Sequence, residues 1–149
     1  QNQFQKVYYH ALGDVQTKDR LVFQDPKHPL RYFGVSTTED ERFAILYISE
    51  GTDGMEIMYK DLQAGDKDFK LLFKGFQHNY SVIDNVNDQL LVYHNNGAPN
   101  YKVSLVDPKT GKMTDFVPEK SEKFQKKQVL HKMAAPHPGK GCVGGGEGK

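Results

Sequence analysis

The sequence predicts an all-β chain built from repeated four-stranded antiparallel sheets. Three observations predict it. Aromatic residues reach 11% of the 149 positions, with eight Tyr, nine Phe and no Trp, while only 37% of residues are hydrophobic. That balance suits many thin, half-buried strands better than one thick core. A strand–turn–strand pattern recurs every 45 to 50 residues, from Tyr9 to Tyr59 to Ser104. Continuous apolar runs at 43–48 and 90–93 read as strands buried on both faces.

The elements follow in order. Lys6-Val7-Tyr8-Tyr9-His10-Ala11-Leu12-Gly13 is a strand entering a turn, and Arg20-Leu21-Val22-Phe23 is its return. Residues 31–36 and 42–48 pair across the acidic turn Thr38-Glu39-Asp40-Glu41. Residues 56–61 and 69–73 pair across a turn containing Gly65. Residues 80–84 and 89–94 flank Asn87-Asp88, and 101–106 and 114–117 flank Asp107-Pro108-Lys109-Thr110-Gly111. Four antiparallel strands at this period are the sequence form of a β-propeller blade. Residues 1–122 then form a partial β-propeller: half a blade at 6–24, a blade at 31–75 and a blade at 80–118. Two and a half blades do not close a ring, and the first residue is not Met, so a piece of a larger propeller is expected. The competing reading is a small open sheet or sandwich with accidental periodicity.

Charge divides the chain further. The net charge of +1 hides a tail, 123–149, with six lysines against the single acid Glu147 and six of the 14 glycines. This basic, Gly-rich, irregular tail is expected to be disordered or foreign to the fold. The rest is mildly acidic, which argues against a nucleic-acid partner. No run approaches the roughly 18 apolar residues of a membrane span, so no membrane partner is expected. The lone Cys142 excludes a disulfide framework and a multi-cysteine zinc site, and leaves cytoplasm and periplasm both open.

Catalytic chemistry is hard to place on these residues. Ser36, Ser49, Ser81, Ser104 and Ser121 all lack the flanking glycines of a nucleophile elbow. Cys142 sits in glycine-rich sequence without a scaffold to activate it. His10, His28, His78, His94, His131 and His137 show no metal-ligand spacing, so no metal and no cofactor is expected. His10 and His94, at strand ends, read as partly buried structural histidines. Asp84-Asn85-Val86-Asn87-Asp88 lacks the Gly and Glu of a calcium loop and reads as a hairpin turn. Gly139-Lys140-Gly141 lacks the surroundings of a phosphate-binding loop. Asn79-Tyr80-Ser81 fits the glycosylation tripeptide, a pattern common by chance.

Four short segments, in order, resemble the propeller of the prolyl oligopeptidase family of serine peptidases. They are Tyr8-Tyr9-His10-Ala11-Leu12-Gly13, then Phe33-Gly34-Val35-Ser36-Thr37-Thr38-Glu39-Asp40-Glu41-Arg42-Phe43, then Ile48-Ser49-Glu50-Gly51-Thr52-Asp53, then Ala98-Pro99-Asn100-Tyr101-Lys102-Val103. Together they span roughly residues 8–119. The resemblance implies a fragment of a seven-bladed propeller that covers an α/β-hydrolase domain cleaving after proline. It implies gating: short proline-containing peptides enter and folded proteins do not. The hydrolase domain, the remaining blades and short peptides are the implied partners. The catalytic triad is absent from these residues, so no catalytic residue and no activity of the isolated chain is expected. By position, the side chains that approach the peptide fall on Tyr32, Ser49 and Thr52. Well-known members carry Met, Arg and Cys there, and this chain departs at all three. Losing the Arg removes a fixed cation with five donors. The plain alternative for Ser49-Glu50-Gly51-Thr52-Asp53 is an inter-strand loop in which Gly51 supplies an unusual backbone angle. The competing function is a non-enzymatic β-repeat module that binds a protein partner. Exposed blade faces lead us to expect association or marginal stability of the isolated residues 1–122.

Overall fold

In the computed structural model, residues 3–122 are described. The expectations for the tail, including Cys142, His131, His137 and Lys140, lie outside the described residues. The strands are β1 (Lys6–Tyr9), β2 (Arg20–Gln24), β3 (Tyr32–Thr37), β4 (Phe43–Ser49), β5 (Glu56–Asp61), β6 (Lys70–Phe73), β7 (Tyr80–Val86), β8 (Gln89–His94), β9 (Lys102–Val106) and β10 (Met113–Val117). They form a two-stranded sheet, β1-β2, and two four-stranded sheets, β3-β4-β5-β6 and β7-β8-β9-β10. Within each sheet, strands consecutive in the chain pair antiparallel. The fold is all-β, with two and a half blades' worth of strands.

Side-chain alternation explains where the core sits. Phe43 and Ile45 of β4 and Ile57 and Tyr59 of β5 point toward the third sheet. There they meet Leu90 and Val92 of β8 and Val106 of β9 in one buried cluster. Ala44, Leu46 and Ile48 alternate to the other face of β4 and are buried as well. The run at 43–48 is therefore covered on both sides, as its composition predicts. On the side of the first sheet, Phe23 sets its ring at 5.1 Å from Phe33 and 6.2 Å from Phe69, edge to face. A second cluster, Leu91 and Val103 with Ile83, Tyr93 and Leu105 packed on it, lies on the far side of β8 and β9.

The turns are built from short polar side chains. In the β3–β4 turn, Thr38 Oγ1 accepts the Phe43 N–H at 3.0 Å and donates to Asp40 Oδ1 at 2.8 Å. Glu41 takes φ 58° there, a left-handed conformation that costs any residue with a Cβ.

Three local expectations change. His10 is exposed and its Nδ1 lies 2.6 Å from Asp19 Oδ1, because β1 is an edge strand with little above it. His94, in contrast, is wholly buried between the two large sheets. In the 50–53 loop it is not Gly51 but the following Gly54 that takes the positive φ, +80°.

Candidate functional site

The blades of a propeller surround a central channel, so one edge strand of each blade lines it. Neighbouring blades approach most closely at that inner edge. Three hydrogen bonds join β7 to β4 and the β3–β4 turn: Glu39 N–H to Asp84 Oδ1 (3.2 Å), Asn85 Nδ2 to Asp40 Oδ2 (2.8 Å) and Val82 N–H to Tyr47 Oη (3.0 Å). Thus β7, an edge strand of its sheet, carries these contacts to the second sheet, and β3 is its edge-strand counterpart in the repeat.

Beside these strands runs a groove of about 470 Å³. Tyr32, Phe33 and Gly34 of β3, Tyr47 and Ser49 of β4, Met55, and Tyr80 and Ser81 of β7 line it. No charged side chain does. Tyr32 and Ser49 are direct register partners across β3 and β4. Two of the three residues implied by resemblance are thereby brought together. Thr52 stands apart, exposed on the loop after β4 and outside the groove lining.

That loop is tied to the connector between β6 and β7. The Gly54 N–H donates to Asn79 Oδ1 at 2.9 Å and the Met55 N–H to the His78 carbonyl at 2.9 Å. Any Cβ at position 54 would lie 1.7 Å from the Phe76 carbonyl oxygen, so only glycine permits this approach. The Asn79 side chain is also 3.4 Å from the Tyr101 hydroxyl through its Nδ2. Its amide is a structural tie in the folded chain, which disfavours the glycosylation reading.

Arg31, next to Tyr32, already serves carboxylates. Its Nε donates to Glu50 Oε1 at 2.6 Å and its Nη1 to Asp25 Oδ2 at 3.1 Å. Burial works to raise the Asp25 pKa, but the His28 hydrogen bond and the charges of His28 and Arg31 outweigh it and hold the carboxyl below its ordinary value. The guanidinium is thus committed to two carboxylates.

His94 and Ser104 form the one buried His–Ser pair among the described residues, Nε2 to Oγ 2.9 Å. The Asn96 N–H donates to His94 Nδ1 at 3.1 Å, which makes Nδ1 an acceptor and puts the proton on Nε2. The imidazole then donates to Ser104. A general base must accept from its serine, so this tautomer serves structure, not nucleophile activation. Burial first, then repulsion from Lys102, pushes the His94 pKa below its ordinary value and keeps the ring neutral, against an opposing pull from Asp115.

A second cavity, about 400 Å³, opens at the opposite end between the same sheets. Arg42, Lys70 and Lys109 meet Asp61, Asp88 and Asp107 around it, so it presents no net charge to select a ligand. No group of three or more metal-ligating side chains is gathered among the described residues, and none of their helices is long and apolar enough to cross a membrane.

Sequence reasoning missed Tyr47 and Asn79 as ties. The signal at Tyr47 was a lone hydroxyl inside an otherwise apolar two-faced strand, where a buried Tyr needs a partner.

Comparison with known proteins gives a consistent picture. The family model described as the prolyl oligopeptidase N-terminal β-propeller domain matches residues 1–134. A prolyl endopeptidase from Elizabethkingia meningoseptica is 34% identical over 80% of this chain and 17% of its own length. Prolyl oligopeptidase A from Amanita bisporigera is 31% identical over 76% of this chain and 16% of its own. Among solved structures, one from a study of two prolyl endopeptidases superposes with a TM-score of 0.76 at 30% identity, over 83% of this chain and 19% of that one. Prolyl oligopeptidase B from Galerina marginata, bound to a 35mer hydrolysis and macrocyclization substrate, gives a TM-score of 0.73 at 27% identity, over 79% of this chain and 17% of that one. The chain spans about one sixth of the length of these relatives. With the family model matched over most of its length and the blade architecture in place, this chain belongs to the N-terminal β-propeller family of the prolyl oligopeptidases.

Proposed function

We propose that this chain is a stretch of propeller wall that gates the access of short proline-containing peptides to the hydrolase domain of a serine peptidase. In this reading residues 6–24 belong to a half blade, 31–75 and 80–118 are blades, and the remaining blades and the hydrolase domain are the partners. The observation that carries it is the pairing of Tyr32 on β3 with Ser49 on β4, beside an uncharged groove. A narrow passage lined this way sieves by size, because a folded protein cannot thread it, and shields the reaction from bulky chains. The Tyr32 ring offers apolar contact, and the Ser49 hydroxyl offers one donor and two acceptor positions to a peptide backbone. Thr52, exposed at the loop, reaches a peptide only if the peptide lies across that loop.

The test uses the full gene product from which this chain comes. It should cleave after proline in a short peptide and leave a folded protein intact. Ser49→Arg should change KM several-fold and leave kcat nearly unchanged, the pattern of uniform binding. A full gene product encoding only further repeats, with no peptide cleavage, would overturn this reading in favour of a protein-interaction module.

A further inference from the structure

We propose that the second and third sheets are locked into one rigid unit, tied at both ends, so that they part only when the sheets themselves unfold. At one end Arg42, leaving the β3–β4 turn, bridges the two sheets. Its Nη2 donates to Asp61 Oδ2 at 3.2 Å within its own sheet. Its Nη1 donates to the Asn87 carbonyl at 3.1 Å and to Asp88 Oδ1 in the β7–β8 turn. The guanidinium carbon lies 4.8 Å from the centroid of the buried Phe43 ring, over which it sits. Glu39 and Asp40 add their own bonds to Asp84 and Asn85 across the same boundary.

At the other end, the Gly54 and Met55 amides bond Asn79 and His78. Midway, the Tyr47 hydroxyl takes the Val82 N–H. Between these ties lies the apolar cluster shared by both sheets, from Phe43 and Ile45 to Leu90, Val92 and Val106. Separating the sheets would strip every tie and wet that cluster at once. Burying the cluster is also what holds each sheet together, so no cheap opening exists between them. The consequence rests on the gating reading: if peptides enter by parting two blades, the parting happens at another boundary.

Hydrogen exchange on the 149-residue chain tests the lock without any peptide or peptidase, so its outcome is independent of the gating reading. The amides of Gly54, Met55 and Val82 donate across the boundary and report its opening. They should show protection within about threefold of the central-strand amides of Ile45 and Val92, as members of one cooperative unit. Arg42→Met should accelerate both sets by the same factor. Cross-boundary amides exchanging more than about threefold faster than Ile45 and Val92 would show that the sheets part while still folded. So would an Arg42→Met effect confined to the boundary, and either result would overturn the lock. The first comparison needs only the unaltered chain.

Discussion

At Gly54 a single methyl group meets the hardest obstacle of any described glycine. The position combines a φ of +80° with a carbonyl oxygen 1.7 Å from where a Cβ would stand, and backbone cannot swing aside as a side-chain tip can. Gly54→Ala should lose roughly 2–4 kcal/mol in urea unfolding, well beyond the usual cost of a surface change. Tyr47→Phe removes the acceptor of the part-buried Val82 N–H and should cost about 1–2 kcal/mol in the same assay. His94 gives a pH signature. Its pKa is depressed in the folded chain, so the unfolded chain binds more protons below the ordinary histidine value of 6.5. Its contribution is therefore complete above pH 6.5 and is lost as pH falls from there toward the lower folded value. His94→Gln, which keeps an acceptor and a donor, should flatten that part of the stability–pH curve; an unchanged slope would contradict the assignment. Little of this was legible in the sequence. The sequence points to Gly51 for the unusual backbone angle, and only the approach of Phe76 singles out Gly54. Tyr47 and Val82 are separated by 35 positions, so no local pattern pairs them.

The strands were the most legible level. The runs at 43–48 and 90–93 mark β4 and β8 because a strand covered on both faces has no polar side to show. The acidic turns were also readable, since Asp and Thr side chains bond their own backbone. Asp40 shows how: hydrogen bonds from Asn85, the Arg42 N–H and Thr38 hold its carboxyl below the ordinary value. The pairing of one turn with the next was not readable, because Arg42 and Asp88 lie 46 positions apart. The β3–β4 turn also carries a local conflict. Glu41 sits at φ 58°, where glycine pays no Cβ penalty. Glu41→Gly should raise stability by about 1 kcal/mol in urea unfolding, and a loss would show that the Glu side chain has an offsetting role.

For the whole molecule, the two outward sides differ from the shared core. Tyr8, Tyr9 and Leu21 stay exposed on the two-stranded sheet, as do Met113 and Phe116 on β10. The edges of that small sheet carry no further strand among the described residues. In a propeller, neighbouring blades cover such surfaces, and apolar area left in water favours association. The repeat period made this architecture visible from sequence; how the outer surfaces are covered depends on contacts beyond these strands. Size-exclusion chromatography with light scattering, on the sample used for a circular-dichroism melt, tests it most directly. The blade account predicts a β-rich chain that self-associates or melts broadly. A sharply melting monomer would contradict it, because the chain would then close its own core without neighbouring blades.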